Sequence, residues 1–175
     1  MKKLLKFAGV CGAALALVAF ILLLASRAMT SAQSGGGYTV VGEMSSSLYL
    51  FGHGEAWLIV NGKEQSLGTG DLDKFPVFGL LTFILFLVGF LGVAAGAVLG
   101  FTKLDKKLVK LVTLISAAVL VVAAVMLLFV PLVVTKQQQP DAEAKDIGVH
   151  AGWVFASIFA ILGAGVTLVP AFVKE

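Results

Sequence analysis

Four stretches with charge only near their ends, each long enough to cross a bilayer, decide what this chain can fold into. They run from Leu4 to about Ser26, Phe75 to Phe101, Leu108 to Val134 and Ile147 to Val173, with Lys6 and Lys110 close to their starts. A helix rises about 1.5 Å per residue, so about 20 residues cross a ~30 Å hydrocarbon core. Composition points the same way. The chain is 59% hydrophobic and 13% charged, where a soluble domain carries about 25% charged residues. A soluble fold with so little charge would expose large apolar patches. The expected fold is therefore a single integral membrane domain over residues 1–175, an all-α four-helix bundle. The first run also fits a signal peptide, with Lys2, Lys3 and Lys6 ahead of it and Thr30-Ser31-Ala32 behind. Its apolar stretch exceeds the roughly 7–15 residues of a typical signal core, so it is read as an uncleaved helix.

The basic residues orient the helices. With the N-terminus in the cytoplasm, Lys2, Lys3, Lys6, Lys103, Lys106, Lys107, Lys110 and Lys174 lie inside against Asp105 and Glu175. Outside fall Arg27, Lys63, Lys74, Lys136 and Lys145, against the acidic Glu43, Glu55, Glu64, Asp71, Asp73, Asp141, Glu143 and Asp146. Both termini are then cytoplasmic, in a plasma (cytoplasmic) membrane. An outer loop of residues 27–74 and a short outer loop of residues 135–146 face the other side.

The long loop holds the apolar segment Leu48–Leu67. Gly52, Gly54 and Gly62 interrupt it, and a membrane helix would carry Glu55, Lys63 and Glu64 into hydrocarbon. It reads better as strands. Asn61-Gly62 lies between two extended runs, and a two-residue type I′ turn needs positive φ at both positions, which Asn and Gly tolerate. Upstream, Ser47–Phe51 and Tyr38–Val41 are rich in β-branched and aromatic residues. Three or four short antiparallel strands are expected, forming a small extracellular β-sheet between the first and second helices. Ser31–Gly37 and Gly68–Asp73 read as loops. An isolated hairpin is marginal in water, so the sheet should pack on the helix ends. Trp57 and Ile59 would share one face, Leu58 and Val60 the other. These four residues are the candidate interaction surface, unless Ser31–Gly37 and Ala142–Val149 fold over and cover it. His53-Gly54-Glu55 falls in a connection between strands. A metal site shared by His53, Glu55 and His150 is conceivable, but a solvated histidine in a turn is the simpler reading, and no metal or other cofactor is expected.

In the second helix Gly89, Gly92, Gly96 and Gly100 recur on one face. Small residues let backbones approach closely in a membrane. Ala8, Gly12, Ala16 and Ala19 do the same in the first helix, and Gly152, Ala156, Ala160, Gly163 and Thr167 in the fourth. These faces are read as intrachain contacts, with a subunit interface as the other option. Phe83, Phe86 and Phe90 form a face suited to lipid or a partner. Pro131 should kink or loosen the end of the third helix. Pro76 fits a helix first turn, where its missing N–H costs little. Cys11, the single cysteine, leaves no intrachain disulfide and no cysteine zinc site; it reads as a small buried side chain.

The spans carry no charge in their interiors, where ion pathways and proton relays usually need ionisable groups. Catalytic signatures such as HExxH, GxSxG or a phosphate loop are absent, and a nucleic-acid role is excluded for practical purposes. The layout resembles the claudin and peripheral-myelin-protein family: four helices, both termini inside, a first outer loop of about fifty residues forming a sheet, and a short second one. That family's loop carries Trp, then Gly-Leu-Trp, then two cysteines. Here Gly54-Glu55-Ala56-Trp57 stands in that loop and no cysteine follows, so no functional residues are carried over. The lysine-rich N-terminus and cysteine-free loops suggest a bacterial membrane. The leading expectation is a non-enzymatic membrane protein whose sheet serves self-assembly or a larger membrane complex, with lipid and a protein partner or homo-oligomer as its company. The alternatives are a channel or transporter subunit and, third, a membrane metal-binding or enzyme module.

Overall fold

The computed structural model describes residues 2–35, 38–102, 104–141, 143 and 147–172. Its elements follow as α1 (Lys2–Ala25), β1 (Arg27–Gly35), β2 (Tyr38–Ser45), α2 (Ser46–Phe51), β3 (His53–Val60), β4 (Lys63–Asp71), α3 (Val77–Leu99), α4 (Lys106–Gln138), β5 (Gly148–Val149) and α5 (Ala151–Phe172). Among the described residues four helices are long and apolar enough to cross a membrane, over Phe7–Ala25, Val77–Leu99, Lys106–Gln138 and Ala151–Pro170. The protein is thus a set of four membrane helices packed together, with an antiparallel sheet inserted after the first. The chain divides into two compact units.

One unit comprises Met1–Ile21, Ile84–Val125 and Phe155–Glu175. Small residues set its helix contacts. A Cβ built on Gly12 would meet the Thr167 hydroxyl and lie 2.6 Å from the Gly163 carbonyl oxygen; one on Gly163 would lie 2.9 Å from the Ala16 nitrogen. On α3, a Cβ at Gly89 would lie 2.7 Å from the Leu120 nitrogen, one at Gly96 2.5 Å from the Thr113 hydroxyl, and one at Gly92 would strike Ser116. Gly100 differs: it lies past the end of α3, and the nearest atoms to an added Cβ are its own segment's carbonyls of Ala97 and Gly96. The buried hydroxyls of Thr113, Ser157 and Thr167 donate to the carbonyls of Val109, Ala124 and Gly163 at 2.9, 2.9 and 2.7 Å. Such bonds remove polar groups from contact with hydrocarbon.

Two expectations fail in the helices. The phenylalanine face of α3 turns inward: Phe86 is fully buried, and Phe90 stacks on Phe20 with centroids 5.3 Å apart. Large rings gain more from one another than from lipid tails, which are as apolar as they are. The exposed stripe of α3 is instead Leu81, Ile84, Val88 and Leu91. Cys11 is exposed, because the inward face of α1 is taken by Gly12, Ala16 and Ala19.

The other unit comprises Leu22–Phe83 and Met126–Val154. Its five-stranded antiparallel sheet has the order β4-β3-β2-β1-β5. The hairpin forms as the sequence indicates: Val60 pairs with Lys63, and Asn61 and Gly62 both take positive φ, 49° and 79°. Other expectations are corrected. Ser47–Phe51 is not a strand but part of helix α2. The Ser45 hydroxyl caps it by accepting from the Leu48 N–H, and left-handed Gly52 (φ 84°) closes it by donating to the Leu48 carbonyl. Capping at both ends and burial of Leu48, Tyr49 and Leu50 outweigh the β-propensity of the segment. Ser31–Gly35 belongs to β1, and β4 continues to Asp71 past a bulge where Leu67 has no partner and Gly68 adopts φ 89°; Gly36 and Gly37 lie outside the described residues. Gly148–Val149 adds the fifth strand, pairing with Thr30 and Met29. Ser31–Gly35 and Gly148–Val149 extend the sheet instead of covering it, while residues 142 and 144–146 lie outside the described residues; α5 starts at Ala151, four residues later than the hydropathy implies.

Buried polar contacts anchor α2. The Trp153 indole donates to Ser46 Oγ at 2.7 Å and to the Leu23 carbonyl at 3.2 Å, and Ser46 donates to the Ser26 carbonyl. A Cβ on Gly79 would collide with the Tyr49 carbonyl, so the start of α3 lies directly on the α2 backbone. Pro76 precedes α3, with its carbonyl accepting from the Leu80 N–H. Helix α4 runs through Pro131 to Gln138. There Gln138 bonds both the N–H and the carbonyl of Lys74, and Gln137 donates to the Phe75 carbonyl.

Candidate recognition surface

Strand alternation and register sort the sheet residues onto two faces. On the first, the ladder places Thr30, Glu43, Trp57 and Ser66 in one row and Val41, Ile59 and Glu64 in the next. Arg27 reaches across this face from the start of β1. Its guanidinium bonds Glu43, reaches Glu64 at 2.5 Å and lies 4.3 Å above the Trp57 ring centroid. Hydrogen bonding to Glu43 raises the guanidinium pKa above its ordinary value, with burial opposing and Glu64 adding to it. Arg27 thus ties four strands together, its own β1 with β2, β3 and β4, while covering the indole. A fork of donors on a planar cation suits two carboxylates and a ring face at once, which a lysine would not manage.

The second face carries Met29, Met44 and Ala56 at one end and Val40, Gly42, Leu58 and Val60 at the other. The methionine end is packed. The Tyr49 hydroxyl donates toward the sulfurs of Met29 and Met44 at 2.6 and 3.4 Å and meets Thr135 Oγ1 at 3.0 Å. Burial, opposed by the Thr135 hydrogen bond, pushes the Tyr49 phenol above its ordinary pKa of 10.0. Among the described residues the far end is open. Val40, Leu58 and Val60 are half-buried, and a Cβ on Gly42 between them would meet nothing within 4 Å. A separate groove of about 240 Å³ lies at the methionine end, lined by Met44, Leu48, Ala56, Leu67, Gly68 and Leu72.

The free edge of the sheet, β4, is exposed along its whole length. Its bulge at Leu67 and its charges at Lys63, Glu64 and Asp71 are devices that discourage indiscriminate strand addition. The edge is therefore a weaker docking element than the open face.

His53 stands at the start of β3 and His150 between β5 and α5. His53, Gly54 and Glu55 open β3 instead of forming a turn: Ser45 Oγ accepts the Glu55 N–H at 2.9 Å, and a Cβ on Gly54 would strike that same hydroxyl. His53 Nδ1 meets Asp71 Oδ1 at 2.7 Å across the hairpin, both exposed. His150 precedes α5 and accepts the Gly152 N–H on its Nδ1 at 3.1 Å, as a helix cap does. Among the described residues no three His, Cys, Asp or Glu side chains gather as a metal would require.

Sequence reading singled out Trp57, Leu58, Ile59 and Val60 and missed Arg27 with its two glutamates. The available signal was that Arg27 is the single arginine among thirteen Lys and Arg residues. No protein-family model matches the chain, and no curated protein is significantly similar to it. The likeness to claudins therefore rests on layout: long apolar helices with a sheet inserted between α1 and α3.

Proposed function

We propose that this chain is a non-enzymatic multi-pass protein of the plasma (cytoplasmic) membrane, with both termini in the cytoplasm, that holds its sheet outside as a recognition surface for a protein partner: copies of itself or a larger membrane complex. The observation that carries this reading is the half-open second face. Its methionine end is fixed by Tyr49 and Thr135, while Val40, Leu58 and Val60 stand beside the bare backbone of Gly42. A sheet face that is half unfilled among the described residues suits a partner of complementary shape. The buried hydroxyls of the spans, bonded to helix carbonyls, offer little to the channel alternative.

The test places a photocrosslinking residue at Leu58 or Val60 of the full-length protein in native membranes, with Ser66, on the opposite face, as control. Adducts are expected from the first two positions and not from Ser66. Absence of adducts from both Leu58 and Val60 would remove the surface from consideration. Orientation is tested in a Cys11→Ala background: Gln65→Cys should react with an impermeant thiol reagent on intact cells, and Lys106→Cys should not.

A further inference from the structure

The first five residues of α4 include Lys106, Lys107 and Lys110, all exposed, with Asp105 just before the helix accepting the Lys107 N–H at 2.9 Å. Lys106 and Lys110 stand one turn apart, where like charges repel, and cations at this end of a helix also oppose its dipole. Around them Phe101, Leu104, Leu108 and Leu111 are each at least half exposed. An apolar collar of this kind must be covered by hydrocarbon, so the lysines stand where hydrocarbon gives way to headgroups. Helix α4 has 33 residues, a length of ~50 Å, so it outreaches a ~30 Å core and its end turns enter the headgroup layer. Lys110 Nζ sits 5.3 Å from the Phe172 ring centroid, which holds that ammonium beside an aromatic at the level where such rings collect.

We propose that Lys106, Lys107 and Lys110 form a binding site for anionic phospholipid headgroups in the leaflet at the α3–α4 turn. The long side chains lay their methylenes along the apolar collar and extend their ammonium groups to the phosphodiester and to an added headgroup charge. A zwitterionic headgroup carries its own cation and satisfies the cluster less well. The site is independent of the sheet and of what the sheet recognises.

The experiment reconstitutes full-length protein in liposomes of equimolar phosphatidylglycerol and phosphatidylcholine, extracts it in mild detergent and quantifies the retained lipids by mass spectrometry. Each lysine near the surface contributes about five-fold to anionic-lipid preference, so wild type should retain phosphatidylglycerol in clear excess. Lys106→Gln/Lys107→Gln/Lys110→Gln should return the ratio toward that of the liposome, and the corresponding triple Lys→Arg variant should preserve the excess. In pure phosphatidylcholine the triple Gln variant should melt no lower than wild type, which shows that it folds. Equal phosphatidylglycerol excess in wild type and the triple Gln variant would overturn the proposal. So would a rise in wild-type melting temperature with inorganic phosphate, in phosphatidylcholine alone, that equals the rise with phosphatidylglycerol, since the site would then belong to a free anion.

Discussion

The glycine contacts among the helices and the Arg27 contacts on the sheet hold their regions by opposite means. Gly12, Gly89 and Gly163 work by lacking a side chain, so that backbones come within contact distance. Arg27 works by having the largest available cation, which engages Glu43, Glu64 and Trp57 together. The difference follows from solvent. Between helices in lipid there is no hydrophobic drive, so close contact and internal hydrogen bonds must supply the attraction. A sheet facing water can gain from burying its ring and its methionines, and it then needs polar ties to fix how the strands lie. One region should therefore be intolerant of size and indifferent to salt; the other should tolerate size at many places and respond to charge and pH.

The largest expected effect is Gly89→Leu. Its Cβ would fall on the rigid Leu120 backbone, and overpacking there should cost about 3 kcal/mol. The matched control is Gly165→Leu on α5, where nothing lies within 4 Å of an added Cβ; it should melt within a degree or two of wild type in the same detergent. Equal melting of the two variants would break the size half of the comparison.

Arg27→Ala comes next. It strands Glu43, whose side chain is 11% exposed, and frees Glu64, which is 49% exposed. The loss should be about 1–2 kcal/mol, nearly all from Glu43, because the Glu64 pair is well solvated. Glu64→Gln alone should therefore shift the melting temperature far less than Glu43→Gln. A larger effect from Glu64→Gln would reassign the tie to the β4 edge.

Asn61→Val tests the turn. A β-branched residue resists the positive φ of 49° that Asn61 adopts, at a cost of about 1–2 kcal/mol. Hydrogen exchange should speed up in β3 and β4 while α4 keeps its protection.

Tyr49→Phe gives the smallest change at neutral pH, about 1 kcal/mol for the lost hydroxyl bonds. Its value lies in the pH dependence. The folded phenol has a raised pKa, so its contribution is fully present below the ordinary value of 10.0 and is lost as pH rises through the folded value. The stability gap between wild type and Tyr49→Phe should hold constant below pH 10 and narrow above it. A gap that widens would mean that the phenolate is the better-accommodated form.

What the sequence determined by itself follows from local chemistry. An uninterrupted apolar run commits its own backbone to a helix wherever water is absent, so the spans were legible without knowing their neighbours. Asn61-Gly62 fixed the hairpin because positive φ is a property of those two residues. Gly89, Gly92 and Gly96 could be read as a contact face because helical periodicity alone aligns them. Tertiary structure decided the rest. Ser47–Phe51 has strand-like residues, and only its caps and the burial of Leu48, Tyr49 and Leu50 make it a helix. The direction of Phe86 and Phe90 was settled by Phe20 on another helix. Arg27 finds Glu43 and Glu64 at separations of 16 and 37 residues, a pairing that exists only once four strands are in register, and no property of a single residue announces a partner that the fold must bring to it.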